Sequence, residues 1–283
     1  MPYGVGCAWV RDVSDQAKLQ AEVETLRYAY RCGARYFDTS EAYGDSELVV
    51  GEFVRTIPRH TLFLATKSRL PYLNPDEAVV HLRSNLERSL RRLHTDHLDL
   101  YQLHDADARY LATGVPPEVI HFLQEAREKG WIRYFGMAVR AHRFLGQAVH
   151  HGQYAAILTY SDYTPINQSA TELIRMASAR RVGVINGSPL NNRWLNGTDP
   201  RMREDDEAES RHKAVAFYDF CRAGGISVLA AALQFPMLNA NIDMNLTGPG
   251  SAEQWAQSME ALRMPVPPSF WTEWSEVYND KNK

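Results

Sequence analysis

Gly33-Ala34-Arg35-Tyr36-Phe37-Asp38-Thr39-Ser40-Glu41-Ala42-Tyr43-Gly44-Asp45-Ser46-Glu47 is the stretch on which the reading of this chain turns. Gly33 closes a helical period that carries Val23, Leu26, Ala29 and Tyr30 on one face, and a glycine suits the left-handed residue that ends such a helix. Residues 34–37 then read as a buried strand. The run ends on a carboxylate, Asp38, and a phenol, Tyr43, follows five residues later.

The same alternation extends in both directions. Short apolar runs predict strands at 4–8, 62–66, 98–103, 132–138, 155–159, 182–186 and 242–246. Between them lie helical periods. Asn74-Pro75-Asp76-Glu77 is a helix start, with an N-cap, a proline at the first position and acids at the positive end of the dipole. Further helices are expected from Pro116-Pro117-Glu118 to Gly130, and over 168–179, 214–222, 227–238 and 251–262. About eight strand–helix units in one chain, with no linker or repeat boundary, predict a (β/α)8 TIM barrel as a single domain over residues 1–283. A dinucleotide-binding open sheet is disfavoured, because Gly4-x-Gly6 supplies only part of a G-x-G-x-x-G turn.

Composition narrows the function. The 283 residues hold 31 Lys and Arg against 34 Asp and Glu, a net charge of −3, with no basic run to suit nucleic acid or a membrane surface. No apolar stretch approaches the ~20 residues of a membrane span, and the N-terminus does not read as a signal peptide. Cys7, Cys32 and Cys221 are scattered, which predicts neither a disulfide framework nor a metal site and fits a cytoplasmic protein. The charged cluster 201–209 reads as a solvated loop. Oligomeric state stays open.

In such a barrel the reactive groups sit at the C-terminal ends of the strands. Asp38, Lys67 and His104 each end an apolar run, and Tyr43 follows the first of them. Taken singly, each has a structural explanation: a turn cap, a rim charge, a core aromatic, a satisfied buried imidazole. Together they form a coherent apparatus for moving a hydride and a proton. A free tyrosine, with a pKa near 10, is a poor acid–base at neutral pH, and a nearby ammonium corrects that. Lys67 supplies the ammonium and Asp38 its counter-ion. His104 can donate a hydrogen bond to the substrate oxygen, where charge develops.

At these residues the chain resembles the aldo-keto reductase family. The stretch from Gly33 to Glu47 is similar to that family's main signature, and Ala65-Thr66-Lys67 and Leu98-Asp99-Leu100-Tyr101-Gln102-Leu103-His104 resemble its next two motifs. The resemblance implies a catalytic tetrad of Asp38, Tyr43, Lys67 and His104 and an NAD(P) cofactor bound without a Rossmann domain. Asp162-Tyr163-Thr164-Pro165-Ile166-Asn167-Gln168, residues 232–236 and residues 265–271 are similar to the family's sugar branch, the D-threo-aldose (L-fucose) and L-galactose 1-dehydrogenases. The substrate implied is a small sugar or carbonyl compound. The implied cofactor contacts are Asp38, Ser188, Leu190, Gly248, Gly250, Ser251, Gln254 and Ser258.

The chain departs from the family pattern in its cofactor half. Gly136-Met137-Ala138-Val139-Arg140 lacks the usual Ser-Asn, and Gly187 stands where a stacking tyrosine is common, leaving Tyr160 and Trp194 as candidates for that contact. Gly248 and Gln254 occupy the places of the lysine and arginine that grip a 2′-phosphate, Glu253 adds a negative charge, and Gln257-Ser258 replaces a Glu-Asn pair. NAD is therefore expected to be preferred over NADP. The N-terminal hairpin that often plugs the barrel reads as shortened. Trp9 is expected to reach the substrate mouth together with Tyr43 and His104. Residues 191–214 read as a long polar loop, either a lid or disordered. The competing functions are an NADPH-dependent aldehyde or ketone reductase and a cofactor-binding regulatory subunit.

Overall fold

The computed structural model describes residues 3–204 and 208–281. Its eight strands are β1 (Tyr3–Gly6), β2 (Tyr36–Asp38), β3 (Phe63–Arg69), β4 (Leu98–His104), β5 (Ile132–Ala138), β6 (Ala156–Tyr160), β7 (Gly183–Gly187) and β8 (Met244–Thr247). All pair in parallel with their neighbours in chain order, and β8 closes on β1, so the sheet is the expected barrel. The helices are α1 (Gln16–Arg31), α2 (Ser46–Val54), α3 (Pro75–Arg92), α4 (Tyr110–Thr113), α5 (Pro117–Glu128), α6 (His142–His151), α7 (Thr171–Ala179), α8 (Ala208–Ala223), α9 (Val228–Gln234), α10 (Ala252–Ala261) and α11 (Pro268–Lys281). No single helix among the described residues is long and apolar enough to cross a membrane.

Most strand residues are buried, as suits parallel strands under helices. Phe37, Leu64, Tyr101 and Leu103 face outward into the main core, where Leu26, Leu82, Leu86, Phe122 and Leu123 meet them from the helices. Tyr36, Ala65, Leu100, Ala138, Leu158, Ile185 and Leu246 form a separate apolar cluster that fills the barrel. Side chains on a strand alternate between faces, so every second residue beyond this cluster also points inward. Asp38 follows Tyr36 in this way, Lys67 follows Ala65, and Gln102 and His104 follow Leu100. The polar residues are thus the upper layer of the same inward columns.

Several elements differ from the sequence reading. β1 stops at Gly6, and Cys7–Trp9 turns outward as a 3-10 helix; no strand precedes β1 among the described residues. β3 runs on past its apolar stretch to Arg69, paired through to His104, because a polar mouth is still held by ladder hydrogen bonds. α2, α4, α6 and α11 are not among the helices expected from the sequence. The helix expected over 227–238 breaks after Gln234 and continues as a 3-10 turn, Phe235–Leu238, since Pro236 can neither donate a backbone bond nor fit an α-helical interior. The described part of 191–214 is not an open polar loop. Trp194 and Leu195 are buried in a core shared with α8, α9 and α11, a 3-10 turn spans Pro200–Met202, and α8 starts at Ala208. Residues 205–207 of this stretch lie outside the described residues.

Candidate active site

The segment from Asp38 to Ser46 is bound back onto β3. The Thr39 amide donates to the Ala65 carbonyl at 2.9 Å, and the Glu41 amide to the Lys67 carbonyl at 3.2 Å. Within it the Tyr43 amide donates to the Ser40 carbonyl at 3.1 Å, and Gly44 takes a φ of +62°, a conformation a glycine adopts without penalty. This compact turn folds Tyr43 over the barrel mouth, and α2 starts directly after it.

There the four expected residues come together. Lys67, 1% exposed, donates to the Asp38 carboxylate, to the Thr39 carbonyl at 2.9 Å and to the Tyr43 hydroxyl at 3.3 Å. Gln102 donates to the second Asp38 oxygen at 3.0 Å. The Tyr43 and His104 rings meet edge to face, with centroids 5.7 Å apart. His104 Nδ1 lies 3.0 Å from the Ser40 hydroxyl, and Nε2 lies 3.7 Å from the Asp105 carboxylate. The sequence reading missed Gln102 and Ser40. Gln102 carried a signal, a polar residue two positions before His104 and so on the same face of the strand.

Burial opposes charge on both members of the ion pair. It pulls the Lys67 pKa down, but Asp38 and then Tyr43 more than offset it, and the ammonium titrates above the ordinary lysine range. Asp38 is pushed upward by burial, with Lys67 and Gln102 working against that. His104 is driven down to about 3 by burial first, then by Lys67 and Arg69, so its imidazole is neutral.

These groups line a cavity of about 310 Å³ that also includes Trp9, Arg69, Asp105, Tyr160, Gly187, Ser188 and Gly248. Trp9 stands at its rim, 55% exposed. Arg69 and Asp105 face each other at 4.0 Å. Of the expected cofactor residues, Asp38, Ser188 and Gly248 line the cavity. Gly250, Ser251 and Gln254 form the start of α10: the Ser251 side chain caps the Gln254 amide at 3.2 Å, and the Gln254 side chain accepts from the Gly250 amide at 2.8 Å. Leu190 instead packs beside the core that holds Trp194, and the Ser258 hydroxyl turns inward to the Gln254 carbonyl at 2.9 Å; neither lines the cavity. Trp194 is buried beneath the Arg203 guanidinium, 4.0 Å from its ring, and is no wall of the site. Tyr160 is such a wall. It pairs in register with Gly187, where an added Cβ would meet the Tyr160 Cβ at 3.1 Å.

The model of the aldo/keto reductase family matches residues 4–279. L-galactose dehydrogenase of Arabidopsis thaliana is 28% identical over 247 residues, covering 85% of this chain and 77% of that protein. D-threo-aldose 1-dehydrogenase of a Pseudomonas species is 26% identical over 286 residues, covering 89% and 86%. An aldo/keto reductase from Klebsiella pneumoniae, solved in complex with NADP and acetate, superposes with a TM-score of 0.74 at 21% identity, over 98% of this chain and 91% of that one. The chain belongs to the aldo/keto reductase family and is an NAD(P)-dependent oxidoreductase.

Proposed function

We propose that this protein is a sugar or polyol dehydrogenase that prefers NAD, with Tyr43 as the general acid and base. The observation that carries the reading is the Tyr43 hydroxyl, 3.3 Å from a buried lysine ammonium and beside a neutral imidazole on the wall of one cavity. In this reading the substrate hydroxyl enters the cavity that Tyr43 and His104 both line. Tyr43 takes its proton as the carbon is oxidised. The Lys67 ammonium donates a hydrogen bond to the tyrosine oxygen, and Asp38, fixed by Gln102, keeps that ammonium in place. His104 donates a hydrogen bond to the substrate oxygen. In the reverse direction Tyr43 returns the proton.

The residues present suit a nicotinamide dinucleotide, which when bound accepts or supplies the hydride. Gly187 and Gly248 leave flat backbone on the cavity wall: a Cβ at residue 248 would lie 3.0 Å from the Trp9 ring. Tyr160, on the strand next to Gly187, offers the aromatic face that residue 187 does not. α10 begins beside the cavity residue Gly248, and a helix N-terminus is a place to which a pyrophosphate binds readily. Two features favour a sugar. Trp9 provides an exposed apolar face for the C–H side of a sugar ring, and Arg69 with Asp105 provides a donor and an acceptor for its hydroxyls. The names of the two sugar dehydrogenases among its relatives point the same way.

The test is Tyr43→Phe, assayed with a panel of aldoses. Loss of a positioned acid–base is expected to lower kcat by roughly 10²–10⁴. NADH binding, followed by fluorescence titration, is expected to be unchanged. Undiminished turnover by this variant would overturn the mechanism.

A further inference from the structure

We infer that Ser40 fixes the tautomer of His104, holding the imidazole proton on Nε2, the nitrogen on the cavity side. Ser40 is a positioning residue; it touches no substrate. The inference rests on the reading of His104 as the donor to the substrate oxygen.

A neutral imidazole has one donor nitrogen and one acceptor nitrogen, and only the tautomer with Nε2–H can donate into the cavity. His104 is neutral, so the choice of tautomer decides whether it works. Ser40 is fully buried, and its hydroxyl oxygen lies 3.0 Å from Nδ1. That hydroxyl carries a single hydrogen with two acceptors in reach, Nδ1 and the Lys67 carbonyl at 3.3 Å. The Lys67 carbonyl is the more distant and already accepts from the Glu41 amide at 3.2 Å. The Ser40 oxygen in turn accepts from the Ala42 amide at 3.2 Å, which leaves its own hydrogen free to point at Nδ1.

Electrostatics on the far side of the ring select the same state. Nε2 faces the Asp105 carboxylate at 3.7 Å. A proton on Nε2 is attracted to that charge. A bare lone pair there would be repelled by it, and with the proton on Nδ1 the Ser40 hydrogen would have to turn to the more distant Lys67 carbonyl at 3.3 Å. Both neighbours therefore favour Nε2–H, and Ser40 is the one that contacts the ring within hydrogen-bond distance.

The decisive measurement needs no substrate. Protein labelled with nitrogen-15 histidine gives ring correlation spectra that report which nitrogen holds the proton, and His104→Gln identifies the His104 signals by their loss. The wild type is expected to show Nε2–H near neutral pH. Ser40→Ala is expected to give a mixture of tautomers and a kcat about tenfold lower, the effect of one lost net hydrogen bond, with NADH binding unchanged. Ser40→Cys, which keeps a weak donor in similar volume, is expected to recover part of both. A wild-type spectrum with the proton on Nδ1 overturns the inference whether or not the variants fold. So does Ser40→Ala with a pure Nε2–H spectrum and full kcat. If Tyr43→Phe retained turnover while the spectra came out as expected, the reaction scheme would fail and the tautomer assignment would stand.

Discussion

His104 shows how far one residue's environment can move its chemistry. Burial, then Lys67 and Arg69, take it from an ordinary 6.5 to about 3. Between those values the unfolded chain binds a proton that the folded one does not, so the contribution of this ring to stability is complete above about 6.5 and is lost as the pH drops toward 3. Urea unfolding at about pH 7 and about pH 4 checks this, with His104→Gln expected to lose less stability between them than the wild type. Equal losses would show that the ring is not held neutral. The sequence made the outline of this site legible, because Asp38, Lys67 and His104 each interrupt an apolar run at its C-terminal end. It did not show Gln102 on the Asp38 carboxylate or Ser40 on the imidazole. Those contacts join residues from different strand–helix units, and only barrel register brings them together. Ser40 by itself is a turn residue.

At the level of elements, the proposed preference for NAD rests on the segment from β8 into α10. Residues 248–254 carry no positive charge, Glu253 sits in the first turn of α10, and the Gln254 side chain is engaged with the Gly250 amide. A 2′-phosphate dianion would meet neither a paired cation nor a forked donor there. The Michaelis constant for NADP is therefore expected to exceed that for NAD by about tenfold or more, the effect of a missing charged hydrogen bond; equal or better use of NADP would refute it. The elements themselves were unevenly legible. α3 announced its start with Asn74 and Pro75, and the Asn74 side chain does accept from the Glu77 amide. α2 and α6 open with no side-chain cap bond, so the strongest start signal is missing, although Phe144, Leu145, Ala148 and Val149 bury a helical face. Trp194 and Leu195 went unread as anchors because their partners, Phe217, Phe270 and Trp274, belong to helices distant in the chain.

For the whole molecule, the count of alternating units was enough to infer closure, since eight parallel strands under a ring of helices leave little alternative. Closure joins nearly the extremes of the chain: Tyr3 pairs with Asn245, Gly4 with Leu246 and Val5 with Thr247. The cavity has the same dependence, for Gly6 and Trp9 form one wall while Leu246 and Gly248 form the adjoining one. Contacts of such separation are entropically slow to form. In stopped-flow refolding, helical ellipticity is expected to recover before NADH fluorescence binding does; simultaneous recovery would show that the ring closes as early as its helices. The seam between β1 and β8 also bears on synthesis. While β8 is still inside the ribosome, the emerged chain has an unpaired strand at each side of an open sheet, the form most prone to pair with a neighbour. The barrel's first strand has to wait for its eighth, and until then the nascent barrel is neither closed nor safe from aggregation.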